Sequence, residues 1–262
     1  MLRRESPQAR HADHADRHAL RIDEVGDPDG TPVVYLHGGG DSRLSRHPDD
    51  SIAASLGVRL FAVDRCGPAR RFGTLRGWAE SVAAALELGR FGVIGWSAGG
   101  PHALALAAVA PERVTRAALV GSMPPVDLVR ELQRDVRAAM RVARLSPRVA
   151  ARGLERWGRL PTPPTGDPGC DDAYTRGRVE SFRDGGLWLA RELAYLGRPW
   201  GFELADVRAP VTLWWGKDDR VCPPPIGDAF AERLPHAELR LVDGTHQILF
   251  SRWRDILADV SR

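Results

Sequence analysis

The sequence predicts an α/β protein, a mostly parallel sheet with helices covering both faces. Three observations predict it. Short apolar runs alternate with helical stretches along most of the chain. Most of the runs are apolar throughout, as strands buried on both faces are. Glycine, proline and small polar residues punctuate them. With 262 residues, 43% hydrophobic and 27% charged, the chain is long enough to bury a sizeable core.

Residues 20–25 alternate as a strand and close on the turn Gly26-Asp27-Pro28-Asp29-Gly30. Residues 32–36 form an apolar strand ending in His37-Gly38-Gly39-Gly40. A helix over 50–56, stopped by Gly57, leads to a strand over 58–63 that ends at Asp64-Arg65. Residues 74–88 are an amphipathic helix with Thr74 as cap and Gly89 as stop. A buried strand at 91–95, an apolar helix at 98–110 and a strand at 115–120 follow.

The rhythm then breaks. Residues 126–145 predict one long arginine-rich helix, 161–169 a proline-rich loop, and 172–183 and 187–196 further helices. This places a helical cap insertion at 124–206 over the sheet's C-terminal edge, within a core made of 1–123 and 207–262. The rhythm resumes with a strand at 210–216, a helix at 225–234, a strand at 237–242 and a helix at 247–260. Residues before about 19 are polar, with His11, His14 and His18. No cysteine or second cluster supports a metal tract there, so they read as a frayed end.

Net charge is +3, and the basic residues are arginines scattered among acids, with Lys217 the only lysine. No nucleic-acid footprint results. Three cysteines, Cys66, Cys170 and Cys222, make no disulfide framework and predict free thiols in a reducing compartment. The polar start has no signal-peptide core, and no apolar run approaches the ~20 residues of a membrane span, so a cytoplasmic chain with no membrane partner is expected.

Gly95-Trp96-Ser97-Ala98-Gly99 sits between an apolar strand and a helix. The pattern alone is weak, but that context is where a nucleophile elbow belongs. Small neighbours let strand and helix approach closely, and the helix N-terminus favours developing negative charge at Ser97. A serine needs a base, and the base an orienting acid, in the chain order serine, acid, histidine. The strand at 210–216 runs into Lys217-Asp218-Asp219, and the strand at 237–242 into Asp243-Gly244-Thr245-His246. Both candidates lie at the sheet edge that carries Ser97, the edge where open α/β sheets bind ligands. His246 is the base. Asp218 and Asp219 are adjacent candidates for the acid, with Asp127 an outlying third. Backbone N–H groups of Ala98 and Gly39, with Gly40 as second choice to Gly39, form the oxyanion hole.

These residues resemble the α/β-hydrolase superfamily from about Leu20 to Leu257, in its capped branch of esterases, proline iminopeptidase-like enzymes and carbon–carbon bond hydrolases. The likeness rests on Val34-Tyr35-Leu36-His37-Gly38, Val63-Asp64-Arg65, Gly95-Trp96-Ser97-Ala98-Gly99-Gly100, Trp215-Gly216-Lys217-Asp218-Asp219 and Asp243-Gly244-Thr245-His246. It implies an eight-stranded sheet, no cofactor, no metal, and a cap that shapes the pocket. In the family the acid stands third after the strand-ending glycine, which selects Asp219. Ser97 argues against the relatives that use an aspartate nucleophile. After Asp64-Arg65 the chain departs from the family's usual loop, reading Cys66-Gly67-Pro68-Ala69-Arg70-Arg71-Phe72.

The expected activity is hydrolysis of an ester-like bond of a small molecule. Cap aromatics Trp157, Trp188, Trp200, Tyr174, Tyr195, Phe182 and Phe202 read first as core and second as pocket lining. Arg130, Arg134, Arg137, Arg141 and Arg144 recur on one helical face. They read as a solvated face, or as a dock for an acyl-carrier protein if the enzyme is a thioesterase or cyclase. A non-catalytic binding module on the same fold is the third reading.

Overall fold

The computed structural model of the protein describes residues 20–65 and 74–262. Its strands are β1 (Ile22–Gly26), β2 (Thr31–Leu36), β3 (Val58–Val63), β4 (Phe91–Trp96), β5 (Val114–Val120), β6 (Val211–Gly216) and β7 (Ala237–Val242). Its helices are α1 (Ser51–Ser55), α2 (Leu75–Ala85), α3 (Gly99–Val109), α4 (Arg134–Leu145), α5 (Pro147–Gly158), α6 (Pro168–Ser181), α7 (Leu187–Leu196), α8 (Pro224–Arg233), α9 (Ile248–Ser251) and α10 (Trp253–Val260).

The strands form one sheet in the order β1-β3-β2-β4-β5-β6-β7. Only β1 runs antiparallel, against β3. The seven strands match the seven segments read from hydrophobic pattern. The eight implied by family resemblance are not reached among the described residues, where β1 and β7 are the two edge strands.

Side chains alternate between the two faces. Val34, Leu36, Val63, Val93, Leu119, Leu213 and Trp215 pack with Val82 of α2, Leu106 of α3 and Phe230 of α8. Val33, Tyr35, Leu60, Ile94, Trp96, Val120 and Trp214 pack with Ala53 of α1 and with Ile256 and Val260 of α10. The central strand β4 is buried along its whole length, whereas β1 and β7 carry exposed polar residues. Arg59 to Glu24 and Arg240 to Glu238 are ion pairs at these two edges, where charge discourages pairing with another chain.

Three predicted helices differ from the structure. Residues 126–145 are two elements, a 3-10 turn at Val126–Glu131 and then α4. Leu132 and Gln133 between them are extended, which buries Leu132 and lets the Gln133 N–H donate to the Val221 carbonyl at 3.2 Å. Helix α6 starts at Pro168 rather than 172, because the Asp167 side chain caps the Cys170 N–H at 2.8 Å and proline suits the first turn. The last helix divides at Arg252 into α9 and α10. Helix α5 was not foreseen, although Ser146-Pro147 is a helix-start signal.

Helix α3 is buried from Gly99 to Ala107 and lies close on the sheet. A Cβ on Gly99 would stand 2.1 Å from the Leu36 carbonyl oxygen, and one on Gly95 2.5 Å from the Gly99 carbonyl oxygen. These obstacles are backbone and cannot swing aside. Gly99→Ala is therefore expected to lower stability by about 3 kcal/mol or more in urea unfolding. Gly89→Ala, with nothing within 4 Å of the new methyl, is expected to stay within about 0.5 kcal/mol of the parent.

Candidate active site

The turn from β4 into α3 forces Ser97 to φ 52°, and it is the only non-glycine residue with positive φ among the described residues. Its amide donates to the Val120 carbonyl at 2.9 Å. Its carbonyl accepts from Gly100 and Met123, each at 3.0 Å. Those bonds hold the backbone from both sides, while the residue itself reaches solvent between buried neighbours.

Asp219 and His246 meet directly. His246 Nδ1 stands 2.7 Å from Asp219 Oδ2, with both side chains largely buried. The other carboxylate oxygen of Asp219 accepts the amides of Val221 and Cys222 at 2.9 Å each, which fixes its plane. A carboxylate oxygen accepting at Nδ1 orients the imidazole with its Nδ1–H toward Asp219 and turns Nε2 the other way. The two loops interlock, since the Asp218 amide donates to the Gly244 carbonyl at 3.0 Å. Asp218 itself is exposed, and Asp127 is exposed and paired with Arg233 at 2.7 Å.

Ser97 lies against this pair through its neighbours. Trp96 Nε1 donates to the His246 carbonyl at 3.0 Å, and its ring is 5.8 Å from the imidazole. A Cβ on Gly121, next to the Val120 that binds the Ser97 amide, would stand 2.8 Å from Asp219 Oδ2 and 3.1 Å from His246 Nδ1. The Ser97 hydroxyl makes no hydrogen bond to another described residue.

Gly39 and Ala98 face each other across the site, a Cβ on Gly39 standing 3.4 Å from the Ala98 methyl. Neither amide donates to an acceptor among the described residues. Gly40, at φ 76°, turns against Trp157 instead, 2.5 Å from its ring for an added Cβ.

Beneath Gly39 lies a polar cluster that the sequence did not announce. His37, Arg65, His102 and Glu192 are all buried. Arg65 pairs with Glu192 of α7 and donates to the Gly38 carbonyl at 2.7 Å. His37 Nδ1 donates to the same carbonyl at 2.8 Å, and its Nε2 accepts the Arg65 amide at 3.2 Å. His102 Nδ1 donates to the Ala98 carbonyl at 2.8 Å and its Nε2 accepts the Tyr195 hydroxyl at 2.6 Å. Both tautomers follow from these partners. Burial first, and the Arg65 charge next, hold both imidazoles well below the ordinary histidine value, so both are neutral. Burial holds the Glu192 carboxyl above its ordinary value, against the pull of Arg65.

The helices between β5 and β6 contact this edge of the sheet. Tyr174 of α6 packs on Trp96 at 5.4 Å and tilts toward Phe250 at 5.5 Å. Arg178 is buried, with its guanidinium 4.2 Å over Trp157 and its Nη2 donating to the Tyr174 hydroxyl at 3.2 Å. Of the aromatics foreseen as core or lining, Tyr174, Tyr195 and Trp200 are buried. Cys66 lies outside the described residues, as do His11, His14 and His18. Cys170 and Cys222 are free and buried, and burial pushes the Cys170 thiol up to about 12.

Asp41, also unforeseen, is buried with Oδ1 lacking a partner among the described residues. Burial raises its carboxyl to about 7, opposed by Arg178 and Arg65. A raised acid favours the folded state when protonated, and that contribution is lost as pH rises from the ordinary carboxylate range through 7. Asp41→Asn is therefore expected to raise Tm above the parent's by roughly 5 °C at pH 8, with the gain shrinking toward pH 5. Paired thermal melts across that range measure it.

The profile of the alpha/beta hydrolase fold family matches residues 31–252. No curated protein matches the chain by sequence. Among solved structures, the candidate non-heme bromoperoxidase BpoC from Mycobacterium tuberculosis H37Rv is similar at TM-score 0.66 and 24% identity, over 95% of this chain and 96% of that one. The esterase RhEst1 from Rhodococcus sp. ECU1013 is similar at TM-score 0.63 and 22% identity, over 92% and 95%. A structure from a study of carboxylesterases of the thaumarchaeon Nitrososphaera gargenis is similar at TM-score 0.70 and 20% identity, over 92% and 93%. At these identities the likenesses establish the fold, and the family match spans most of the sequence: the chain belongs to the α/β-hydrolase fold family.

Proposed function

We propose that the protein is a serine hydrolase that cleaves an ester-like bond of a small molecule through an acyl-enzyme. The observation that carries this reading is the strained Ser97, held at the strand-to-helix turn beside the bonded Asp219–His246 pair. Ser97 Oγ attacks the carbonyl carbon as its proton passes to His246 Nε2. Asp219 orients the imidazole and stabilises its charged form. The Ala98 and Gly39 N–H groups receive the oxyanion. As the tetrahedral adduct collapses, the His246 proton leaves with the alcohol. Water then attacks the acyl-serine with His246 again as base, and the carboxylic acid departs. Residues 124–206, with helices α4–α7, act as a cap that shapes the pocket. The esterase names among similar folds agree with this chemistry.

A second reading shares the triad. Arg130, Arg137, Arg141 and Arg144 line one surface groove with Val126, Val129 and Met140. Of these arginines only Arg130 has an acidic partner among the described residues, Glu131 at 3.0 Å. Such a groove suits an acidic acyl-carrier protein delivering a thioester, with cyclisation as an alternative to hydrolysis. Retention of a purified acyl-carrier protein on immobilised enzyme, lost in Arg137→Ala/Arg141→Ala, favours it. Equal passage through both columns removes it.

Hydrolysis of p-nitrophenyl esters, from acetate to long chains, tests the main reading. Ser97→Ala is expected to lower kcat by about 10⁴-fold or more, and a fluorophosphonate probe to label the parent alone. An inert parent that the probe leaves unlabelled overturns the hydrolase reading. Asp219→Asn is expected to lose about 10²- to 10⁴-fold in kcat, while Asp218→Asn keeps the parent's rate. The reverse pattern would reassign the acid.

A further inference from the structure

The buried Arg65–Glu192 pair sits where it serves the reaction itself. A peptide unit is planar and trans, so its C=O and N–H point in opposite directions. The carbonyl of Gly38 and the N–H of Gly39 belong to one such unit. Arg65 Nη2 donates to that carbonyl at 2.7 Å and His37 Nδ1 donates to it at 2.8 Å. Two donors on the oxygen fix the rotation of the plane. They also draw electron density toward the oxygen, which makes the opposite N–H a stronger donor, and a cationic donor does this more than a neutral one. The Gly39 N–H therefore points away from Arg65 and His37, and Gly39 itself lies beside Ala98, an added Cβ standing 3.4 Å from the Ala98 methyl.

The partner amide is anchored differently. The Ala98 N–H shares its peptide with the Ser97 carbonyl, which accepts only backbone amides, those of Gly100 and Met123. One donor of the hole is thus backed by neutral groups and the other by a guanidinium. That guanidinium is buried, and its counter-charge, Glu192, comes from α7.

We propose that Arg65 is a positioning residue that orients and polarises the Gly39 peptide for the oxyanion, and that Glu192 holds the guanidinium in place from the segment between β5 and β6. The proposal rests on the assignment of Ser97 and Gly39 above. It gives the buried pair a role beyond stability, to which such pairs contribute little in net terms.

Arg65→Met/Glu192→Leu removes both charges and leaves no buried ion alone. Arg65→Lys keeps the charge, and its single ammonium loses the fork that spans Glu192 and Gly38. Thermal melts establish which variants are folded, and the folded ones are assayed on p-nitrophenyl esters. The expected result is a kcat lower by about 10- to 100-fold, below the loss for removing a hole donor outright, with KM within about threefold. Affinity for a trifluoromethyl ketone, whose adduct with Ser97 carries the oxyanion, should fall by the same factor as kcat. A role in folding alone would lower Tm and leave both readouts at the parent's values, and that result overturns the proposal. A parent without esterase activity or Ser97 labelling overturns the serine-hydrolase assignment, and this proposal with it.

Discussion

The closeness of α3 to the sheet governs the rest of the structure. Gly99 lies with no room for a methyl group above the Leu36 carbonyl, and Gly95 has none beneath the start of the helix. A chain that leaves β4 and must enter a helix so near has one residue in which to turn. Ser97 takes that turn, at a backbone angle that L-residues avoid. Such strain persists only where the surroundings over-determine it, as the bonds from the Gly100 and Met123 amides and to the Val120 carbonyl do here. The same proximity brings the loop after β2 against the elbow, so Gly39 meets Ala98.

Around this turn the polar groups divide into two layers. In front stand Ser97 and Gly39, which reach solvent, with Ala98 and His246 buried beside them. Behind them, buried, stand His37, Arg65, His102 and Glu192. Four bonds of the rear layer end on the carbonyls of Gly38 and Ala98, and the others join its own members or Tyr195. The rear layer thus sets the orientation of the backbone, and the backbone presents its N–H groups forward. Neutral imidazoles suit this arrangement, because each gives one donor and one acceptor without adding charge to a dry interior.

What the sequence made legible depended on whether a feature repeats a local pattern. Strands such as β3 and β7 fall at the residues read from their hydrophobic runs, since a buried strand is written in consecutive side chains. The elbow, Asp219 and His246 follow strand ends, so their common edge could be inferred, whereas Asp218 and Asp219 are told apart locally only by a family pattern, and in the fold it is Asp219 that lies buried against His246. Leu132 and Gln133 interrupt a helical pattern for a tertiary reason, the acceptor at Val221, which no local signal carries. Glu192 reads as an ordinary helix acid. Its partner lies 127 positions away, and only the folded chain reveals that it points inward.

The position of α4–α7 between β5 and β6 has a consequence for how this chain can change. Ser97, Asp219 and His246 all lie outside that segment, so it can be rebuilt by substitution or exchange while these three residues stay in place. Glu192 sets a condition on such grafting. A replacement segment must return a carboxylate to the spot beside Arg65, or the host must give up the arginine at the same time. The segment is thus portable only together with one inherited charge.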